Sequence, residues 1–131
     1  MWIGTRFIAT PEARAVNGHK ETLIGLAEDG TVISRAYTGK TCRVVRTEWT
    51  NHYEKHPEEL QPFPMQAVAS MKAGVNHLGA ADGTEVDVAQ EFMPAGQGVG
   101  AITSLVPAAQ IVADMVAEAE RTMERIAAVR R

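Results

Sequence analysis

Residues 1–13 read MWIGTRFIATPEA, and the assignment of the apolar run inside them decides the fold. Trp2, Ile3, Phe7 and Ile8 are apolar, and the pattern is nearly continuous rather than alternating. Such a run suits a strand buried on both faces of a parallel sheet, so a strand over residues 2–9 is expected. Gly4-Thr5 breaks it, and a break of that kind at the carboxyl end of a strand commonly faces a ligand. Thr10 is placed to cap a helix, and Pro11 to be its first residue.

Working outward, residues 19–29 (HKETLIGLAED) give a short helix with Leu23, Ile24 and Leu26 near one face. Asp29-Gly30 is a turn signal, and TVISRAYTG after it is rich in β-formers. From Cys42 to Lys55, the placing of Val45, Trp49, His52 and Tyr53 predicts an amphipathic helix that ends before Pro57. HPEELQPFP is a connector, and residues 65–75 form a small-residue helix. Residues 76–85 are loop. EVDVAQEF is open between strand and helix. The strongest periodicity lies over residues 107–129. Ile111, Met115, Ala119, Met123 and Ile126 run down one side of a long helix, with Val112 and Val116 beside them. Asp114, Glu118 and Glu120 precede Arg121, Arg125, Arg130 and Arg131, an order that suits the helix dipole.

The chain has 131 residues, enough for one domain with a core, and a formal net charge of −3. With scattered basic residues, that balance gives no electrostatic basis for binding nucleic acid or an anionic membrane. One cysteine, Cys42, excludes an internal disulfide and points to a reducing compartment. No apolar run reaches the roughly 20 residues of a spanning helix, and no leader pattern opens the chain. A cytoplasmic location is expected.

The strand count raises a difficulty. A doubly buried parallel strand needs partners, because each orphaned buried backbone group costs about 1–3 kcal/mol. The sequence supplies one clear strand and one or two weak ones. The expected partner is therefore either a second copy of the chain or the earlier part of a longer protein.

GTRFIAT-PEA, HKETLIGL, SRAYTGKTCRVVRTEWT and PAGQGVGAI…LVPAAQIVADMVAEAE occur in that order. Together they resemble the C-terminal third of the nitronate monooxygenase (2-nitropropane dioxygenase) family, and its sister group, the FMN-dependent enoyl-acyl-carrier-protein reductases. The resemblance implies an α/β fold: the C-terminal fragment of a (β/α)8 TIM barrel, mostly helical, with a barrel strand at its N-terminus. It divides the chain into the last strand and following helix (1–30), a helical and loop insertion (31–105) and a closing helix (106–131). It implies FMN, with the Gly4 and Thr5 amides on the phosphate and Ile3 and Arg6 flanking them. Gly96 and Gln97 become the loop residues that face cofactor or substrate. The implied chemistry is oxidation of a nitronate by oxygen. The alternative is reduction of an enoyl or quinone by NAD(P)H. A further alternative is a non-catalytic chain, either a truncated product or a subunit that completes a barrel in trans. His19, His52, His56 and His77 do not match the family's catalytic histidine, so no catalytic residue is assigned and the chain alone is expected to be inactive.

Other motifs weigh less. AGQGVG lacks the G-x-G-x-x-G spacing of a dinucleotide fingerprint. Its bland reading, a loop that needs positive φ, stands beside the cofactor reading. Arg35, Lys40, Arg43 and Arg46 could form an anion-binding face, against a simple solvated face. Trp49, Tyr53 and Phe63 read as packing residues. Cys42 reads as an inert thiol, with a reactive one possible if a helix starts beside it. His52 and His56 have metal-ligand spacing but no third ligand in view, so no metal is expected.

Overall fold

The computed structural model describes residues 3–129. Met1, Trp2, Arg130 and Arg131, and the expectations that fall on them, lie outside that range. In chain order the elements are α1 (Gly4–Ile8), α2 (Asn17–Leu23), β1 (Thr31–Ser34), β2 (Cys42–Val45), α3 (Glu48–Lys55), α4 (Met65–Lys72) and α5 (Ala108–Val129). Short 3-10 turns occupy Glu28–Gly30, Pro57–Glu59 and Gln97–Ala101.

The strand expected over residues 2–9 is corrected: Gly4–Ile8 is helical. An unbroken apolar run does not separate a buried strand from a buried helix. Ile3 and Phe7 lie four apart, on one helical face, and the Phe7 amide donates to the Ile3 carbonyl at 3.3 Å. The helix expected at Thr10-Pro11 is also absent. The Thr10 hydroxyl donates to the Phe7 carbonyl (2.9 Å) and accepts from the Ala13 amide (3.1 Å), which closes a turn instead. The next helix begins at Asn17 and ends at Leu23, short of the predicted residue 29.

The helix predicted from Cys42 is split. Residues 42–45 pair antiparallel with β1, Thr31 opposite Val45 and Ser34 opposite Cys42. Their β-branched valines suit that pairing. The helix starts only after Thr47, where a capping box forms. The Thr47 hydroxyl accepts from the Thr50 amide at 3.2 Å, and the Thr50 hydroxyl accepts from the Thr47 amide at 2.9 Å.

β2 is the centre of the molecule. Its free edge carries residues 93–95: the Val45 amide donates to the Met93 carbonyl at 2.9 Å, and the Ala95 amide to the Arg43 carbonyl at 3.2 Å. Alternation along β2 sends Val44 and Val45 to opposite faces. Val45 joins Ala9, Leu23, Met93, Ala95, Val99 and Ile102. Val44 joins Ala36, Tyr37, Val75 and Phe92, with Trp49 and Tyr53 packed against them. The Tyr37 hydroxyl, fully buried, lies 2.6 Å from the Thr47 hydroxyl and 2.7 Å from the Gln90 carbonyl, so it ties the β1–β2 connection to the start of α3.

α5 is docked only by its first part. Ile111 is buried, whereas Val112, Val116, Met123, Ile126 and Val129 are exposed. On α4, Met65, Val68 and Met71 are exposed as well. No helix among the described residues is long and apolar enough to cross a membrane.

Candidate functional site

Three contacts draw the opening segment to residues 96–108. The Gly96 amide donates to the Thr5 hydroxyl at 2.8 Å. One guanidinium nitrogen of Arg6 donates to the Ser104 carbonyl (3.0 Å) and to the Ala9 carbonyl (3.2 Å). The Glu12 carboxylate accepts from the Ala108 amide at 3.2 Å, a negative group at the start of α5, where the helix dipole favours it. Between these ties opens a cleft of about 530 Å³. Ile3, Thr5 and Arg6 form one wall, Gly96, Gln97, Gly98, Ala101 and Ile102 a second, and Ile111, Asp114, Met115 and Glu118 of α5 the third.

Five of the six residues singled out from the sequence, Ile3, Thr5, Arg6, Gly96 and Gln97, therefore line one cleft. The sixth, Gly4, is exposed at the start of α1 between Ile3 and Thr5. The first amides of a helix have no partner within it, and Ile3 offers no side-chain cap. A Cβ at Gly4 would meet no atom within 4 Å, so the surroundings of this backbone are open. Gly96 has φ −84°, an ordinary value, so the expectation of positive φ is not met there.

The α5 wall was not anticipated. Asp114 and Glu118 make it acidic, and the docking of Ile111 together with the Glu12–Ala108 bond brings it to residues 3–6. No spacing in the sequence announces that contact.

The remaining candidates are dispersed. Arg35 donates to the Gly39 carbonyl, Arg43 to the Thr31 hydroxyl and Arg46 to Glu54 at 2.8 Å, while Lys40 sits 4.0 Å over the Phe63 ring. Each cation serves a local contact, and no shared anion-binding face forms. Trp49 and Tyr53 pack as expected, but Phe63 is exposed, with Lys40 across its face. Cys42 lies on a strand and not at a helix start. Burial pushes its thiol up, the nearby Thr38 side chain offsets that only in part, and the thiol donates to the Ser34 carbonyl at 3.6 Å. His77 is held by Glu91, whose carboxylate accepts from the His77 amide (2.8 Å) and contacts Nδ1 (2.7 Å).

With this geometry in view, the comparisons define the class. Residues 1–118 match the family model for nitronate monooxygenase, and the chain belongs to that family. It is 30% identical to the Mycobacterium tuberculosis protein Rv1533, described as a monooxygenase, over 90% of this chain and 32% of that one. Its fold is similar to that of FabK from Thermotoga maritima (TM-score 0.72, 28% identity, 94% of this chain and 37% of that one). It is also similar to nitroalkane oxidase from Streptomyces ansochromogenes (TM-score 0.64, 27% identity, 92% of this chain and 33% of that one). The chain spans about a third of the length of these relatives.

Proposed function

We propose that the chain forms the last part of a (β/α)8 barrel that binds FMN and oxidises alkyl nitronates with oxygen, and that it is inactive alone. The carrying observation is the Thr5–Gly96 bond. It draws the α1 start and the glycine loop, both implied by the family resemblance, onto one cleft.

The residues fit one edge of a phosphate site. Uncapped amides at Gly4 and Thr5 suit an oxyanion, and glycine lets the backbone approach it closely. The acidic α5 wall does not suit an anion, which favours the α1 end for the phosphate. In this reading Gly4 and Thr5 hold the phosphate through their N–H groups. Thr5, through its hydroxyl, fixes the loop that carries Gln97. Gln97, exposed, faces cofactor or substrate. Bound flavin would supply the electron transfer, while the protein orients the reactants and excludes competing reactions. The exposed apolar residues of α4 and α5 support a covering partner, which we assign to the preceding barrel segment in preference to a second copy. The sister-group resemblance keeps a second reading, in which NAD(P)H reduces the flavin and an enoyl or quinone accepts.

The test is a chimera in which the segment preceding the matched region of the Mycobacterium relative is joined to Met1. A folded product should carry one FMN and consume oxygen with a propyl nitronate. NAD(P)H oxidation in place of nitronate turnover would favour the second reading. A folded, monodisperse chimera without FMN would overturn both, and micromolar FMN binding by the 131-residue chain alone would overturn its dependence on a partner segment.

A further inference from the structure

At the end of α3 lies a side-chain cluster that the flavin reading does not use. His52 and His56 are four positions apart and project from one helical face, with ring centroids 5.0 Å apart. Pro57 then turns the chain into the 3-10 segment Pro57–Glu59 and folds two carboxylates back toward the histidines. Glu59 Oε2 lies 2.7 Å from His52 Nε2, and Glu58 Oε1 lies 3.3 Å from His56 Nδ1. Ligand-type atoms of His56, Glu58 and Glu59 all fall within 4.8 Å of one another.

Zinc bonds to nitrogen and oxygen are roughly 2.0–2.2 Å long, which places tetrahedral ligand atoms roughly 3.3–3.6 Å apart. The 2.7 Å and 3.3 Å contacts and the 4.8 Å limit on the His56, Glu58 and Glu59 atoms bracket that spacing, and His52 meets this group through Glu59. Two neutral imidazoles and two carboxylates balance a divalent charge, and a mixed nitrogen and oxygen donor set suits zinc over magnesium or calcium. The sequence offered the H-x3-H pair without a third ligand; the turn at Pro57 supplies two more. We propose that His52, His56, Glu58 and Glu59 bind a divalent cation of the zinc class and clamp the corner between α3 and residues 57–59. Lys55 lines a pocket together with His52 and His56. Its flexible stem lets the ammonium turn to water when a cation is bound. All four ligand residues are exposed, so the site is open to exchange with the solvent.

The ligands come from one contiguous stretch, and the test is independent of flavin. Zinc chloride is titrated calorimetrically into the metal-free chain, with magnesium as a parallel arm. One saturable equivalent of zinc is expected, at micromolar dissociation constant. His52→Asn or His56→Asn should weaken it roughly tenfold or more, Glu59→Gln by less, and His77→Asn not at all. Unchanged far-ultraviolet dichroism checks that the variants fold. No saturable binding below millimolar zinc, equal binding in the histidine variants, or equal affinity for magnesium would each overturn the proposal.

Discussion

Thr5 and Gly96 lie 91 positions apart and share a 2.8 Å hydrogen bond, the amide of Gly96 donating to the hydroxyl of Thr5. This one bond couples the α1 start to the glycine loop. Thr5→Val keeps the shape and removes the acceptor, leaving a half-buried amide unpaired at a cost of about 1–2 kcal/mol. Thr5→Ser restores the acceptor and should recover most of the loss. Urea denaturation of the three proteins checks this, and an unchanged midpoint in Thr5→Val would show that the bond carries no weight.

Gly39 and Gly25 both have positive φ, +80° and +75°, but only one is crowded. A Cβ at Gly39 would stand 2.6 Å from the Phe63 amide nitrogen and 2.9 Å from the Gln61 carbonyl oxygen, both backbone atoms that do not yield easily. At Gly25 nothing lies within 4 Å. Gly25→Ala should cost about 1–2 kcal/mol, the left-handed penalty alone. Gly39→Ala adds overpacking and should cost about 3–4 kcal/mol. Equal melting temperatures for the two variants would contradict the close approach of residues 61–63 to the β1–β2 connection.

His19 should make stability depend on pH near neutrality. It is buried, and its Nε2 donates to the Pro94 carbonyl at 3.2 Å. Burial holds its pKa below the ordinary histidine value, against smaller opposing effects of the Pro94 carbonyl and the Glu91 carboxylate. The unfolded chain therefore takes up this proton first as pH falls. The contribution is complete above the unfolded pKa of about 6.5, and it is lost as pH drops below that value toward the lower folded pKa. His19→Gln keeps a donor for Pro94 without titrating. Between pH 7.5 and pH 5.5 the parent protein should lose more stability than the variant, and parallel losses would exclude His19 as the source.

Much of the helical frame was legible because it is local. The period over residues 107–129 gave α5, and residues 65–75 contain α4. The errors lie where tertiary pairing overrides local pattern. CRVV satisfies a helical spacing, yet the edge of β1 and residues 93–95 make it the central strand. GTRFI satisfies a strand pattern, yet Ile3 and Phe7 close a helical turn. For the site, Gly96 was readable as a point of close backbone approach, and it meets Thr5, whereas the space around Gly4 and Gly98 is open. Asp114 and Glu118 were not readable, since their place in the cleft depends on how α5 docks. Glu58 and Glu59 were missed as neighbours of His52 and His56 because they meet only through the turn at Pro57.

Gly4 offers the sharpest separation of folding from cofactor binding. It is exposed, and a side chain there meets nothing within 4 Å, so the fold itself accepts one. Valine has a somewhat better helix propensity than glycine, and Gly4→Val should leave the stability of the chain unchanged within about 1 kcal/mol. If the Gly4 backbone meets the FMN phosphate, the branched side chain blocks that approach. Flavin affinity in the chimera should then fall by roughly tenfold or more, equivalent to at least about 1.4 kcal/mol. Fluorescence titration of FMN into the apo-chimera measures it. A Gly4→Val chimera that holds FMN as tightly as its parent would remove Gly4 from the phosphate site, even with the flavin still bound. A variant that loses both flavin and its melting transition would instead show that the open space around Gly4 is filled in the complete barrel.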